Sequence, residues 1–222
     1  MHKPVFSKLV VLLLLAATAL GVSAACKTAG GGSSTGTRIL QPGAPGQDTK
    51  TISTAAATDL SKVGATAADI KFMQGMIGHH AQAVEMVDLL MQNSNSNAMK
   101  NLALRIKVSQ DDEMNMMRKY LADHGAAVPG PHSHHEPGGF MPGMLTPEEM
   151  TQLGNAKGVE FDRLFLMGMI KHHGGAITMV EELFKTPGAA QEGGIFAFAS
   201  DVDADQRMEI DRMGAMLREI MK

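Results

Sequence analysis

Two pairs of adjacent histidines, His79-His80 and His172-His173, each follow a methionine by three residues, Met76 and Met169. Imidazole nitrogen and thioether sulfur are both metal ligands. Together they suit Cu(I) best, while imidazole alone suits Cu(II) or Zn(II). The surroundings repeat as well. Residues 72–90 recur as residues 165–183 with ten of nineteen aligned positions identical: Phe, Gly, Met, Ile, both His, Ala, Met, Val and Leu. A repeat that keeps both histidines and a pair of methionines marks soft-metal chemistry as the first candidate.

On a helix, residues three and four apart share a face. Met76, His79 and His80 therefore cluster, with Met73 a turn earlier. Met169, His172 and His173 repeat the cluster, and Met179 echoes Met86 two turns beyond the first histidine of its copy. Adjacent helical residues differ by about 100° around the axis, so one histidine of a pair can bind an ion while the other orients it or faces solvent. Gly75 and Gly168 stand inside these helices at a cost of about 1 kcal/mol each relative to alanine. That cost suggests close approach of another helix or room for a ligand. A second cluster, His132, His134, His135, Met141 and Met144, lies in a Pro/Gly/His-rich stretch and has the ligands to capture copper weakly and pass it on. Glu113 and Glu209 read as helix-surface residues or as groups that support a ligand.

Other chemistries find little support. Tetrahedral zinc sites recruit Cys, His or carboxylate at fixed spacing, and methionine adds nothing to them. Di-iron bundles carry Glu-x-x-His motifs on their helices. The chain has none, and Glu85 becomes Thr178 in the second copy. No nucleophile elbow, phosphate-binding glycine loop or His-Glu-x-x-His motif is present. The chain holds 19 Met and 9 His, no Trp and one Tyr. Methionine fills irregular cores well, so part of this excess is packing. The net charge of −3 gives no basic footprint for nucleic acid.

The elements that must position these residues are helical. Thr66 caps a helix with Asp69 as its box partner, and apolar residues then recur at helical spacing to about Gln92. A second amphipathic stretch runs from Ala98 to about Asp123 and stops at His124-Gly125. After an irregular loop over 124–145, Thr146-Pro147-Glu148-Glu149 opens a short helix ending near Gly154 or Gly158. A long helix follows from about Val159 to Phe184, and a last one from about Gln191 to Met221. Gln110, Glu113, Met117 and Leu121 align with Gln206, Glu209, Met213 and Leu217, so each half, about 66–123 and 158–221, is a helical hairpin. Two hairpins packed together make an all-α four-helix bundle over residues 59–222. No segment alternates strongly enough to predict a strand.

Lys3 and Lys8, an apolar run over 9–20 and small residues up to Cys26 predict a signal peptide over 1–26, too short to span a bilayer. Cys26, the only cysteine, is the candidate lipidated residue of a lipoprotein signal. Cleavage after Ala24 or Ala25 is the competing ending, because Ser23 stands where a lipobox usually carries Leu. With one cysteine there is no internal disulfide. Residues 27–58 are rich in Gly, Ser, Thr and Ala and predict a flexible leader.

The Met-x-x-His-His motif, the stretch Gly-x-x-Phe-Asp-Arg-Leu-Phe-Leu over 158–166 and Gln-x-x-Glu-x-x-x-Met over 110–117 resemble the bacterial family catalogued as domain of unknown function 305. The likeness spans about residues 66–221. It implies a ferritin-like four-helix bundle, exported or lipid-anchored, with copper binding and copper resistance among some members. Carried over by position, it implies Met76, His79, His80, Met169, His172 and His173 as metal ligands. This chain departs from the pattern at Lys171, in place of Gly78, and at Gly174-Gly175, in place of Ala81-Gln82.

The expected function is sequestration, storage or chaperoning of copper, Cu(I) before Cu(II), in the cell envelope. The protein would be periplasmic or lipid-anchored and would pass the ion to an efflux system or a cuproenzyme. Histidine ligands must be deprotonated, so affinity should fall below about pH 6. Two other classes compete. A ferritin-like metal-dependent oxidase would consume oxygen. A structural or interaction bundle would keep its copper affinity unchanged when the histidines are replaced.

Overall fold

The computed structural model describes residues 38–41, 48–58, 63–130 and 140–222. The predicted signal peptide, Cys26 and most of the predicted leader lie outside these residues. Within the leader, Ile39–Gln41 (β1) pairs antiparallel with Lys50–Ile52 (β2), Ile39 opposite Ile52, and Thr54–Thr58 forms a single helical turn, α1. Sequence patterning missed this ribbon because three-residue strands are too short to show an alternation. None of the described residues of β2 or α1 is fully buried.

Four long helices carry the rest: Ala67–Asn93 (α2), Asn97–Asp123 (α3), Gly158–Lys185 (α5) and Gly193–Ile220 (α6), with the short Pro147–Asn155 (α4) between the hairpins. The starts of α2 and α4 follow from local chemistry. The Thr66 hydroxyl accepts the Asp69 N–H while the Asp69 carboxylate accepts the Thr66 N–H at 2.8 Å, and Thr146 with Glu149 repeats the device at α4. Each such cap is worth about 1 kcal/mol. Asp69 also accepts the Ala190 N–H at 2.7 Å, which ties the start of α2 to the turn between α5 and α6. The two hairpins, α2/α3 and α5/α6, meet through α2 against α5. This is the expected all-α bundle of two repeated hairpins.

The core is in two parts. One cluster joins Phe72, Met73, Met76 and Ile77 to Met117, Leu121, Val180, Leu183 and Phe198. The other joins Met86, Val87 and Leu90 to Leu102, Ile106, Phe161, Phe165, Met169 and Met213. The beginning of α2 thus packs with the end of α5 and the reverse, so the two helices run antiparallel. Between the clusters lies a polar layer.

Candidate metal centre

The polar layer consists of the two repeated histidine pairs. His79, His80 and His173 are fully buried, and His172 is 1% exposed. The 100° step between neighbours on a helix sends the two members of each pair in different directions. The first member faces the opposite hairpin: the His79 and His172 rings lie with centroids 3.8 Å apart and planes tilted by 37°. The second faces its own hairpin: His80 reaches Glu113 on α3 and His173 reaches Glu209 on α6, both at 2.5 Å. The two motifs therefore build one layer across the middle of the bundle.

Each ring has one nitrogen engaged and one free of partners. His79 Nε2–H donates to the Pro142 carbonyl at 3.0 Å, and His172 Nε2–H donates to the His79 carbonyl at 3.0 Å. A carbonyl oxygen only accepts, so these bonds place the proton on Nε2. The carboxylates of Glu113 and Glu209 favour the same arrangement in His80 and His173. Nδ1 is buried and unpartnered in all four rings. An unmade bond of this kind costs about 1–3 kcal/mol. Burial, and then the nearby His80, push the His79 pKa down to about 3 despite its bond to Pro142. Burial, followed by His79 and the other two rings, holds His172 well below the ordinary range. His79 and His172 are therefore neutral imidazoles with a lone pair turned inward, the form a metal ion takes.

Of the two readings the sequence offered for Glu113 and Glu209, helix surface or support for a ligand, the structure bears out contact with the histidines. Glu113 is 8% exposed and also accepts the Ser109 hydroxyl at 3.2 Å. The available signal was their equivalence across the repeat, each three residues after a glutamine. A carboxylate behind an imidazole fixes its tautomer and raises its basicity as a ligand. Asp205, the repeat counterpart of Ser109, is held above the ordinary carboxylate range by burial first and then by the charges of Glu113 and Glu209. A cleft of about 300 Å³ between α3 and α6 opens beside Glu113, Asp201 and Asp205.

Met76 and Met169 are fully buried on opposite sides of the layer, in the first and second apolar clusters respectively. Met73 and Met179 lie in the first cluster and Met86 in the second. Among the described residues, no three His, Cys, Asp or Glu side chains converge as a metal-binding group. Within the described residues, a complete ligand set would draw on methionine or on movement of the rings. The donor set, neutral imidazole beside thioether, fits Cu(I).

A family model described as domain of unknown function (DUF305) matches residues 69–217. The chain belongs to DUF305. As a DUF305 protein it superimposes on a DUF305 fragment from Deinococcus radiodurans at a TM-score of 0.60, with 29% identity over 70% of this chain and 98% of that one. A DUF305 protein from Streptomyces coelicolor, described as secreted, gives 0.61 with 28% identity over 69% and 93%. CopM in its Cu(II)-bound form gives 0.56 with 25% identity over 68% and 96%. The Cu(I)-bound form of CopM, 23% identical at a TM-score of 0.54 over 68% and 96%, shows the same fold. Comparison with curated proteins found no match.

In this DUF305 chain one departure from the repeat, Gly175 in place of Gln82, has a structural cause, the segment over 140–145. Gln82 clamps that segment by donating to the Leu145 carbonyl and accepting the Leu145 N–H, both at 2.8 Å. The counterpart of Gln82 is Gly175, where a Cβ would lie 1.8 Å from the Pro142 oxygen. One copy grips the segment and the other makes room for it. Met141-Pro142-Gly143-Met144 is a tight turn, with the Met144 N–H donating to the Met141 carbonyl at 3.2 Å and Gly143 at φ +76. Proline followed by a positive-φ glycine is the type II pattern. Lys171, in place of Gly78, points away from the layer and pairs with Glu149 at 2.8 Å. His132, His134 and His135 lie outside the described residues.

Proposed function

We propose that this chain is an exported copper-binding protein that sequesters or ferries copper in the cell envelope. The observation that carries the reading is the buried layer of four imidazoles, each with Nε2 tied to an acceptor and Nδ1 unpartnered. A soft ion taking those lone pairs, with Met76 or Met169 supplying sulfur, relieves the cost of leaving them unbonded. His79 and His172 need lose no proton on binding, and Glu113 and Glu209 strengthen His80 and His173 as donors. The reaction is ligand exchange with no redox step, and an efflux system or cuproenzyme is the recipient. The Cu(II)-bound CopM structure and the secreted Streptomyces protein support the metal and the location. The residues before Cys26 supply the export signal, and lipidation of Cys26 would make residues 27–58 a tether.

The test is a Cu(I) titration of residues 59–222 against a chromophoric chelator, repeated with His79, His80, His172 and His173 all changed to Ala and circular dichroism confirming the fold. Tight binding that collapses in the variant is the expected result. Equal binding in both would move the site out of the layer, and no binding in either would end the copper reading.

A further inference from the structure

The turn over 141–144 touches more than His79. A Cβ built on Gly75 would stand 3.2 Å from Met141 Sδ and 3.5 Å from Met179 Cε. Two thioether side chains, one from the turn and one from α5, therefore both border the space over a residue that has no side chain. They line a surface cleft of about 420 Å³ between the first half of α2 and the last turns of α5, with Lys71 and Glu182 also on its walls. Met179 is 8% exposed and Met141 half-buried, so the sulfurs lie between solvent and core.

The repeat supplies an internal comparison. At Gly168, the counterpart of Gly75, a Cβ would meet Met86 Cε at 3.3 Å and Leu145 Cδ2 at 3.1 Å. The helix contributes a methionine in both places, but the 140–145 segment contributes a thioether at one and an isobutyl group at the other. Lys171 and Glu149, already paired, line the cleft beside Gly168. Leu and Met fill similar volumes, so packing alone does not separate the two sites. Their chemistry does, because two neutral soft donors favour Cu(I) over a hard or divalent ion. The residue after Met141 is Pro142, whose carbonyl holds His79.

We propose that Met141 and Met179, over Gly75, form a surface thioether site that takes Cu(I) from solvent and loads the histidine layer through the 141–142 step of the turn. This rests on the copper reading above and adds a second, peripheral site to it. The ion stays Cu(I) throughout: thioether ligands bind and release it, and no electron or proton moves.

The experiment is anaerobic titration of the full chain, its methionine methyls labelled with carbon-13, with Cu(I) alone. The signals are assigned with single Met76→Leu, Met86→Leu, Met141→Leu, Met169→Leu and Met179→Leu variants. The Met141 and Met179 methyls should shift together as Cu(I) is added. Either Met141→Leu or Met179→Leu should abolish the remaining partner's shift, and Met86→Leu should leave both shifts intact. Shifts confined to Met76 and Met169 would overturn the thioether site while leaving the copper reading standing. The same holds if no methyl shifts while the four-histidine variant loses copper. Absence of Cu(I) binding in the parent chain would overturn both.

Discussion

Burial, rather than a charged partner, sets the protonation of His79. Its ring titrates near 6.5 in the unfolded chain and near 3 in the folded one. Between those values the unfolded state holds a proton that the folded state does not, so stability rises with pH across the window and levels off above it. The slope is up to about 1.4 kcal/mol per pH unit for one such residue. His172 shifts in the same direction and adds to the effect. The urea midpoint of the metal-free protein should therefore fall as pH drops from about 7 to about 4, and His79→Gln should flatten the curve. A midpoint constant over that window would refute the assignment. Proton competition for copper at His79 likewise moves well below the value near pH 6 expected of an ordinary histidine. At the neighbouring pairs, Glu113→Gln and Glu209→Gln should each weaken copper binding about 10–100-fold with helicity unchanged. Competition titration and circular dichroism measure the two quantities.

At the scale of elements, α5 carries two adjacent glycines with opposite roles. Gly174 has open space where a Cβ would go, whereas Gly175 lies under the Pro142 carbonyl. Gly174→Ala should therefore be neutral or stabilise the helix by up to about 1 kcal/mol. Gly175→Ala must push the 140–145 segment off α5, breaking the Pro142 contact to His79 and straining the Gln82 clamp. A loss of more than about 1 kcal/mol is expected there. Thermal denaturation of the two single variants side by side decides the point, and equal melting temperatures would rule out the close packing. The same segment makes the two halves of the layer unequal, since Pro142 holds His79 and the His79 backbone holds His172.

The bundle is two apolar clusters joined by a polar layer, with α2 and α5 running through all three. Phe165 is fully buried in the second cluster. Phe165→Ala should cost about 3–5 kcal/mol. Because the long helices belong to both clusters, unfolding should stay a single transition in urea, followed by helical circular dichroism. Two separated transitions would show that the clusters fold independently.

The sequence by itself determined the four long helices, the Thr66 and Thr146 caps and the hairpin repeat. These follow from local rules, a 3.6-residue period and side chains that bond their own backbone, and need no distant partner. It also singled out the histidine pairs, because a repeat preserves what both halves use. Only the tertiary structure decided that His79 faces His172, that His80 and His173 turn to carboxylates on neighbouring helices, and that Met76 and Met169 fall on opposite sides of the layer. The sequence left Glu113 between surface and ligand support because a helix period does not reveal which face an unseen neighbour covers. The docking of Pro142 on Gly175 joins residues far apart in the chain, and its only trace in the sequence is a glycine where the first copy has Gln82. Contacts of that kind arise from how the hairpins meet, so no local pattern encodes them.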